Sequence, residues 1–175
     1  MSKIKIFLML SGYQLTWLMC VFGELLYNSF LPGLICGILF LLICFINSNN
    51  KNKTIQTVLL ISIIGYLFDT ILVFFEIYNF QTSFNIGVLP IWMFVLWPSF
   101  AILFDEILMF LSKYKIIAVI LSSILGPLTY FAGSPLGLIN INNLFLFLIL
   151  MVVFWAILMI FYLSCLLYTS PSPRD

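Results

Sequence analysis

Residues 55–78 read IQTVLLISIIGYLFDTILVFFEIY. A helix needs about 20 apolar residues to cross a bilayer, and this stretch is long enough. It carries Asp69 well inside and Glu76 near its far end. A carboxyl group at that depth is costly in lipid, so it must face protein or water. Ser62, Gly65, Asp69 and Glu76 follow one another at steps of three, four and seven. On a helix that spacing makes one small, polar face against a background of Ile, Leu and Phe. The expectation is a helix over 55–78 whose stripe faces the inside of a bundle. The rest of the chain must supply that inside.

Composition agrees. Of 175 residues, 64% are hydrophobic and only 7% are charged, which is far too little polar surface for a soluble domain. The 19 phenylalanines suit a lipid-facing surface. The net charge of +1 and the lack of any basic run leave no footing for nucleic acid. There is no histidine, which excludes a histidine base, a haem histidine and a histidine-containing zinc site. Cys20, Cys36 and Cys44 lie in apolar segments without a CxxC pair, so they read as small buried residues. No cofactor is expected.

Five further segments flank the first. Residues 4–27 form an apolar run too long for the core of a signal peptide, with no small-x-small cleavage site after it. Gln14, Trp17, Val21 and Glu24 are spaced by three, four and three, which predicts one inward face. In the simplest use of that face, Gln14 hydrogen-bonds a neighbouring helix and Glu24 reaches the headgroups. Residues 30–46 form a short, uncharged second helix. Its Gly33 and Gly37 permit close packing. Residues 88–111 form the fourth, with Trp92 near one interface and Trp97-Pro98 deeper. Asp105 and Glu106 stand near its other end and read as an acidic pair neutralised by Lys113 and Lys115. Residues 116–133 form the fifth, with Ser122, Gly126, Thr129 and Gly133 on one face and Tyr130 beside Gly126-Pro127. Residues 144–163 form the sixth. It is almost wholly apolar and is expected at the bundle edge. Residues 79–87 and 134–143 read as loops.

The fold class is therefore all-α: a compact, polytopic membrane bundle of about six transmembrane helices within residues 1–164. The lysines orient it. Lys3, Lys5, Lys51, Lys53, Lys113 and Lys115 fall in the N-terminus and in alternate loops, and the other loops have none. By the positive-inside rule both termini are cytoplasmic. Residues 165–175, CLLYTSPSPRD, match in frame the translation of a transposase-type sequencing adapter and are read as a scar of that origin.

A set of motifs runs through the chain: Gln14-Leu15-Thr16-Trp17 with Cys20 and Gly23; Asp69; Pro90-Ile91-Trp92 with Leu96-Trp97 and Phe100-Ala101; and Gly126-Pro127-Leu128-Thr129-Tyr130-Phe131-Ala132-Gly133 with Leu136-Gly137. These resemble a bacterial inner-membrane family catalogued as domain of unknown function 2878. The resemblance covers nearly all residues before Ser164, and its last block is the most specific. It implies a compact multi-pass protein of the bacterial inner membrane and carries over no catalytic role.

Three functions fit the residues. The first is a non-enzymatic envelope or membrane-lipid accessory component, with membrane lipids and other inner-membrane proteins as partners. The second is a membrane-embedded lipid-modifying enzyme using Asp69 as acid or base, with Tyr130 or Glu24 beside it. The third is a small proton-coupled transporter in which Asp69 and Glu76 titrate. That role needs a water path and usually an internal repeat, and no repeat is evident. The polar interior expected for any of them is Asp69, Glu76, Gln14, Trp17, Glu24 and Tyr130.

Overall fold

A computed structural model describes residues 3–106 and 114–169. Six α-helices are described: α1 (Lys3–Tyr27), α2 (Leu31–Ile46), α3 (Lys51–Phe74), α4 (Met93–Glu106), α5 (Lys115–Phe131) and α6 (Leu144–Thr169). Of these, α1, α3 and α6 are long and apolar enough to cross a membrane. Large apolar side chains stand exposed around the bundle, among them Phe7, Ile116 and Phe145 at 68%, 77% and 76%. That is the surface of a membrane protein, not a soluble one. The stretch 165–175, read as adapter-derived, lies outside the residues whose side chains are described. So do the side chains of Asp105, Glu106 and Lys113.

Local chemistry sets the helix ends. The third helix starts before residue 55 because Asn50 caps it, its side chain accepting from the Lys53 N–H at 3.1 Å. It also stops four residues early. Glu76 adopts a left-handed backbone, φ 55°. The Ile77 N–H bonds the Leu72 carbonyl at 2.9 Å and the Glu76 N–H bonds the Val73 carbonyl at 3.0 Å. This is a Schellman stop, and the apolar pair it usually brings together is here Leu72 and Ile77, both buried. Glu76 is consequently exposed and off the Asp69 stripe, contrary to the sequence reading.

Residues 78–92 then leave helical structure. β1 (Tyr78–Phe80) pairs antiparallel with β4 (Ile139–Ile141), Tyr78 opposite Ile141 and Phe80 opposite Ile139. β2 (Asn85–Ile86) and β3 (Leu89–Pro90) form a small hairpin around Gly87. The stretches expected to be loops are thus partly sheet, and α4 begins at Met93 because residues 88–92 serve this cap. The ribbon joins the connection after α3 to the connection after α5, so both lie at the same end of the bundle.

In the bundle, α1 packs on α2, α3 on α4, and α5 on α6, while α4 also touches α1 and α2. The glycines of α2 do what their spacing predicts: a Cβ on Gly33 would lie 2.6 Å from the Cys20 backbone, and one on Gly37 2.6 Å from Val95. Pro98 sits inside α4 and donates no hydrogen bond to the Phe94 carbonyl. The Tyr66 hydroxyl of α3 donates to that carbonyl instead, at 3.2 Å. The sixth helix buries more than its uniform composition predicts. Phe147, Met151, Trp155, Leu158 and Tyr162 all face the core, and the Tyr162 hydroxyl donates to the Phe104 carbonyl of α4.

Candidate functional site

Asp69 is fully buried, and three donors from three different elements converge on it. The Tyr78 hydroxyl of β1 donates to Oδ1 at 2.6 Å. The Trp97 indole N–H of α4 donates to Oδ2 at 2.7 Å. The Tyr130 hydroxyl of α5 reaches both oxygens, at 2.9 and 3.0 Å. The carboxyl group therefore fastens α3 to β1, α4 and α5 at one point.

The sequence places these donors by one device used twice. Gly65 lies one turn before Asp69, and its missing side chain admits the Trp97 ring: a Cβ there would stand 2.3 Å from the indole. Gly126 lies one turn before Tyr130 and admits Trp155 in the same way, at 2.2 Å. The two indoles then stack on each other, centroids 5.7 Å apart and 14° from parallel. Tyr78 arrives because the Schellman stop turns the chain back over the end of α3. Its ring is held edge-on by Phe80, Tyr130 and Phe147.

Beside this knot lies a cavity of about 60 Å³. Trp17, Trp92, Trp97 and Trp155, which are all four tryptophans of the chain, line it together with Tyr13 and Tyr130. Asp69 does not line it, nor does any Glu, Lys or Arg among the described residues. The indole N–H groups of Trp92 and Trp155 are buried and have no hydrogen-bond partner.

The other expected site residues scatter. Trp17 is half-buried on the cavity wall. Glu24 is buried but serves the end of the bundle. Its Oε2 accepts from the Ser83 N–H at 3.0 Å and its Oε1 from the Ser83 hydroxyl at 3.1 Å. Gln14 is exposed on the outer face of α1 and takes no part. The inward face of α1 is instead Thr16, Cys20, Val21, Gly23 and Glu24. Its centre lies about 120° round the helix from Gln14, at 3.6 residues per turn. Of the expected cluster, only Asp69 and Tyr130 meet. No set of three metal-ligating side chains comes together among the described residues.

A family model described as "Protein of unknown function (DUF2878)" matches residues 6–161. The chain belongs to this family. The match spans every residue of the Asp69 knot and of the cavity wall, and it ends before residue 165. No curated protein and no solved structure matches the chain.

Glu24 offers a direct check on the cap. A hydrogen bond to a charged group is worth about 1.5–3 kcal/mol. Glu24→Ala removes both bonds to Ser83 and should free residues 81–85 without unfolding the bundle. Limited proteolysis should cut the variant within that loop at least several-fold faster than the parent. Equal cutting rates would mean that Glu24 does not hold the loop.

Proposed function

We propose that this chain is a multi-pass protein of the bacterial inner membrane and acts without catalysis, as an accessory component in membrane-lipid or envelope maintenance. One observation carries the reading: Asp69, the one carboxyl deep in the bundle among the described residues, is fully engaged by three donors and lies off the cavity wall. A group so placed fastens helices and offers no free oxygen to a substrate. What remains for a ligand is an aromatic, uncharged chamber, which suits binding. Lipid is the natural partner, given the exposed apolar girdle.

The orientation belongs to the same proposal. Lys5, Lys51, Lys53 and Lys115 stand at the bundle end opposite the ribbon. That end is cytoplasmic by the positive-inside rule, with both termini there and six crossings. At 1.5 Å per residue the 16 residues of α2 and the 17 of α5 rise only about 24 and 25 Å. A core of about 30 Å is then met by local thinning or by flanking residues. Reporter fusions after Asn50 and Lys113 should read cytoplasmic, and fusions after Ser83 and Asn140 should read the far side. A single reversal breaks this topology.

A second reading has its own observation. Tyr130 both bonds Asp69 and lines the cavity. A phenol backed by a carboxyl group is acid–base equipment for a membrane-embedded lipid-modifying enzyme. Asp69→Asn separates the two readings in a deletion strain. Under the accessory reading the variant restores growth and lipid composition. Under the enzymatic one it folds, fails to complement, and a lipid species stays missing.

A further inference from the structure

We propose that a second copy of this chain docks on the lipid-facing side of α1, with the two Gln14 carboxamides hydrogen-bonding each other across a two-fold axis normal to the membrane. The proposal rests on α1 crossing the membrane, as in the topology above. Gln14 stands nine residues beyond Lys5 and thirteen before Tyr27. At 1.5 Å per residue that is about 14 and 20 Å along α1, close to the middle of a core about 30 Å thick. There the side chain is exposed, and its carboxamide bonds no other described residue. It is too short to snorkel to either headgroup layer. Hydrocarbon offers nothing to its two N–H donors or its carbonyl, and an unmet amide there is strongly unfavourable. In such surroundings a glutamine is met by a polar group on another helix.

The helices packed on α1 hold its other side. A Cβ on Gly12 would meet Phe40 of α2, and Cys20 and Thr16 lie against Gly33 and Gly37 of the same helix. Gln14 lies about 165° round from that side at 3.6 residues per turn, and Phe7, Ser11, Leu18 and Leu25 share an arc of about 60° with it. These five follow at steps of four, three, four and seven. That is the 3.5-residue repeat by which two helices interlock side chains along their length. Phe7, Ser11, Gln14 and Leu25 are exposed and Leu18 is half-buried. The seam is therefore apolar towards both ends and polar at its middle.

The same chemistry selects the partner. A carboxamide has its donors at one end of the dipole and its acceptor at the other, so two of them set head to tail complement each other's partial charges. A different membrane protein would need a polar side chain at this depth. A second copy brings one automatically. Copies inserted the same way run their α1 helices parallel, and a two-fold axis between them sets Gln14 opposite Gln14 and Ser11 near Ser11.

Energy transfer between copies tests this. The full chain, carrying a donor or an acceptor dye at its amino terminus, is reconstituted into phosphatidylcholine vesicles over a series of protein-to-lipid ratios. Transfer should saturate as for a dimer. Gln14→Leu should raise the dissociation constant roughly three- to thirtyfold, equivalent to about 0.6–2 kcal/mol for one polar contact between membrane helices. Gln14→Asn keeps the carboxamide and should stay within about threefold of the parent. At a dilution where both proteins are monomers, Gln14→Leu and the parent should share one denaturation midpoint. Monomers at every ratio overturn the second copy as occupant and leave the face to a different membrane protein. A dimer that Gln14→Leu leaves equally tight overturns the placing of the interface at Gln14. A lower monomer midpoint for Gln14→Leu also overturns the proposal, because the partner of Gln14 would then lie within the chain. The topology fails separately, on a reversed reporter fusion.

Discussion

Asp69→Leu will not give a stable bundle. Leucine shares aspartate's branched skeleton but is bulkier and accepts nothing, so the hydroxyls of Tyr78 and Tyr130 and the indole N–H of Trp97 are all left buried without their partner. Each orphaned donor costs about 1–3 kcal/mol, and together they reach on the order of 5 kcal/mol. Typical domains hold only about 5–15 kcal/mol in all. The loss also severs α3 from β1, α4 and α5 at one stroke, so the effects do not add independently. Asp69→Asn keeps one oxygen for the Trp97 indole, and its amide can donate to a tyrosine hydroxyl that turns to accept. The expected cost is about 1–2 kcal/mol. Denaturation midpoints of the three proteins in the same detergent decide this. A leucine variant as stable as the parent would mean that the knot holds nothing.

Gly65→Val should be nearly as damaging, although no charge is involved. A Cβ at residue 65 would stand 2.3 Å from two atoms of the Trp97 indole and 2.5 Å from a third. The ring cannot slide away cheaply, because it stacks on Trp155 and its N–H is tied to Asp69 at 2.7 Å. Overpacking alone costs about 1–3 kcal/mol. Dislodging the indole adds the orphaned pair, for a total of about 3–5 kcal/mol. Gly126→Val meets Trp155 in the same way, with a Cβ 2.2 Å from the ring, and should behave alike. Gly87→Ala is the control. Its Cβ meets nothing within 4 Å, and only the positive φ of 63° resists it, at about 1 kcal/mol. Similar stability for Gly65→Val and Gly87→Ala would show that the indole is free to move.

Asp69 was legible in the sequence because a carboxyl group in an apolar helix has so few places to go. Its neighbour Gly65 and the pair Gly126 and Tyr130 were legible as small or polar points on helical faces. The partners were harder. Tyr78 was read as the last residue of a helix, since nothing in Phe75-Glu76-Ile77 announces a stop. A left-handed glutamate carries no signature such as glycine would give. Trp97 was read for its position beside a proline, whereas its role depends on a gap in another helix. Gln14 misled because a spacing of three, four and three still spreads over nearly a quarter turn, and its first member fell past the edge of the buried face. Trp92 and Trp155 give no sequence sign that their N–H groups lack partners. That is a property of packing and of nothing nearer the chain. The short strands escaped notice because two or three residues carry no periodicity to read.

The separation of Asp69 from its donors also bears on biosynthesis. Asp69 enters the growing chain 61 residues ahead of Tyr130, an interval of roughly 3–12 s at about 5–20 residues per second. The partner strand of the ribbon, at residues 139–141, emerges later still. Tyr78 and Trp97 follow Asp69 by only 9 and 28 residues, but through the rest of that interval the carboxyl group lacks its last donor, and the insertion machinery must shelter it from the lipid. Truncated chains released before residue 130 should therefore be held at the translocon or degraded, while chains released after residue 141 should leave it for the bilayer.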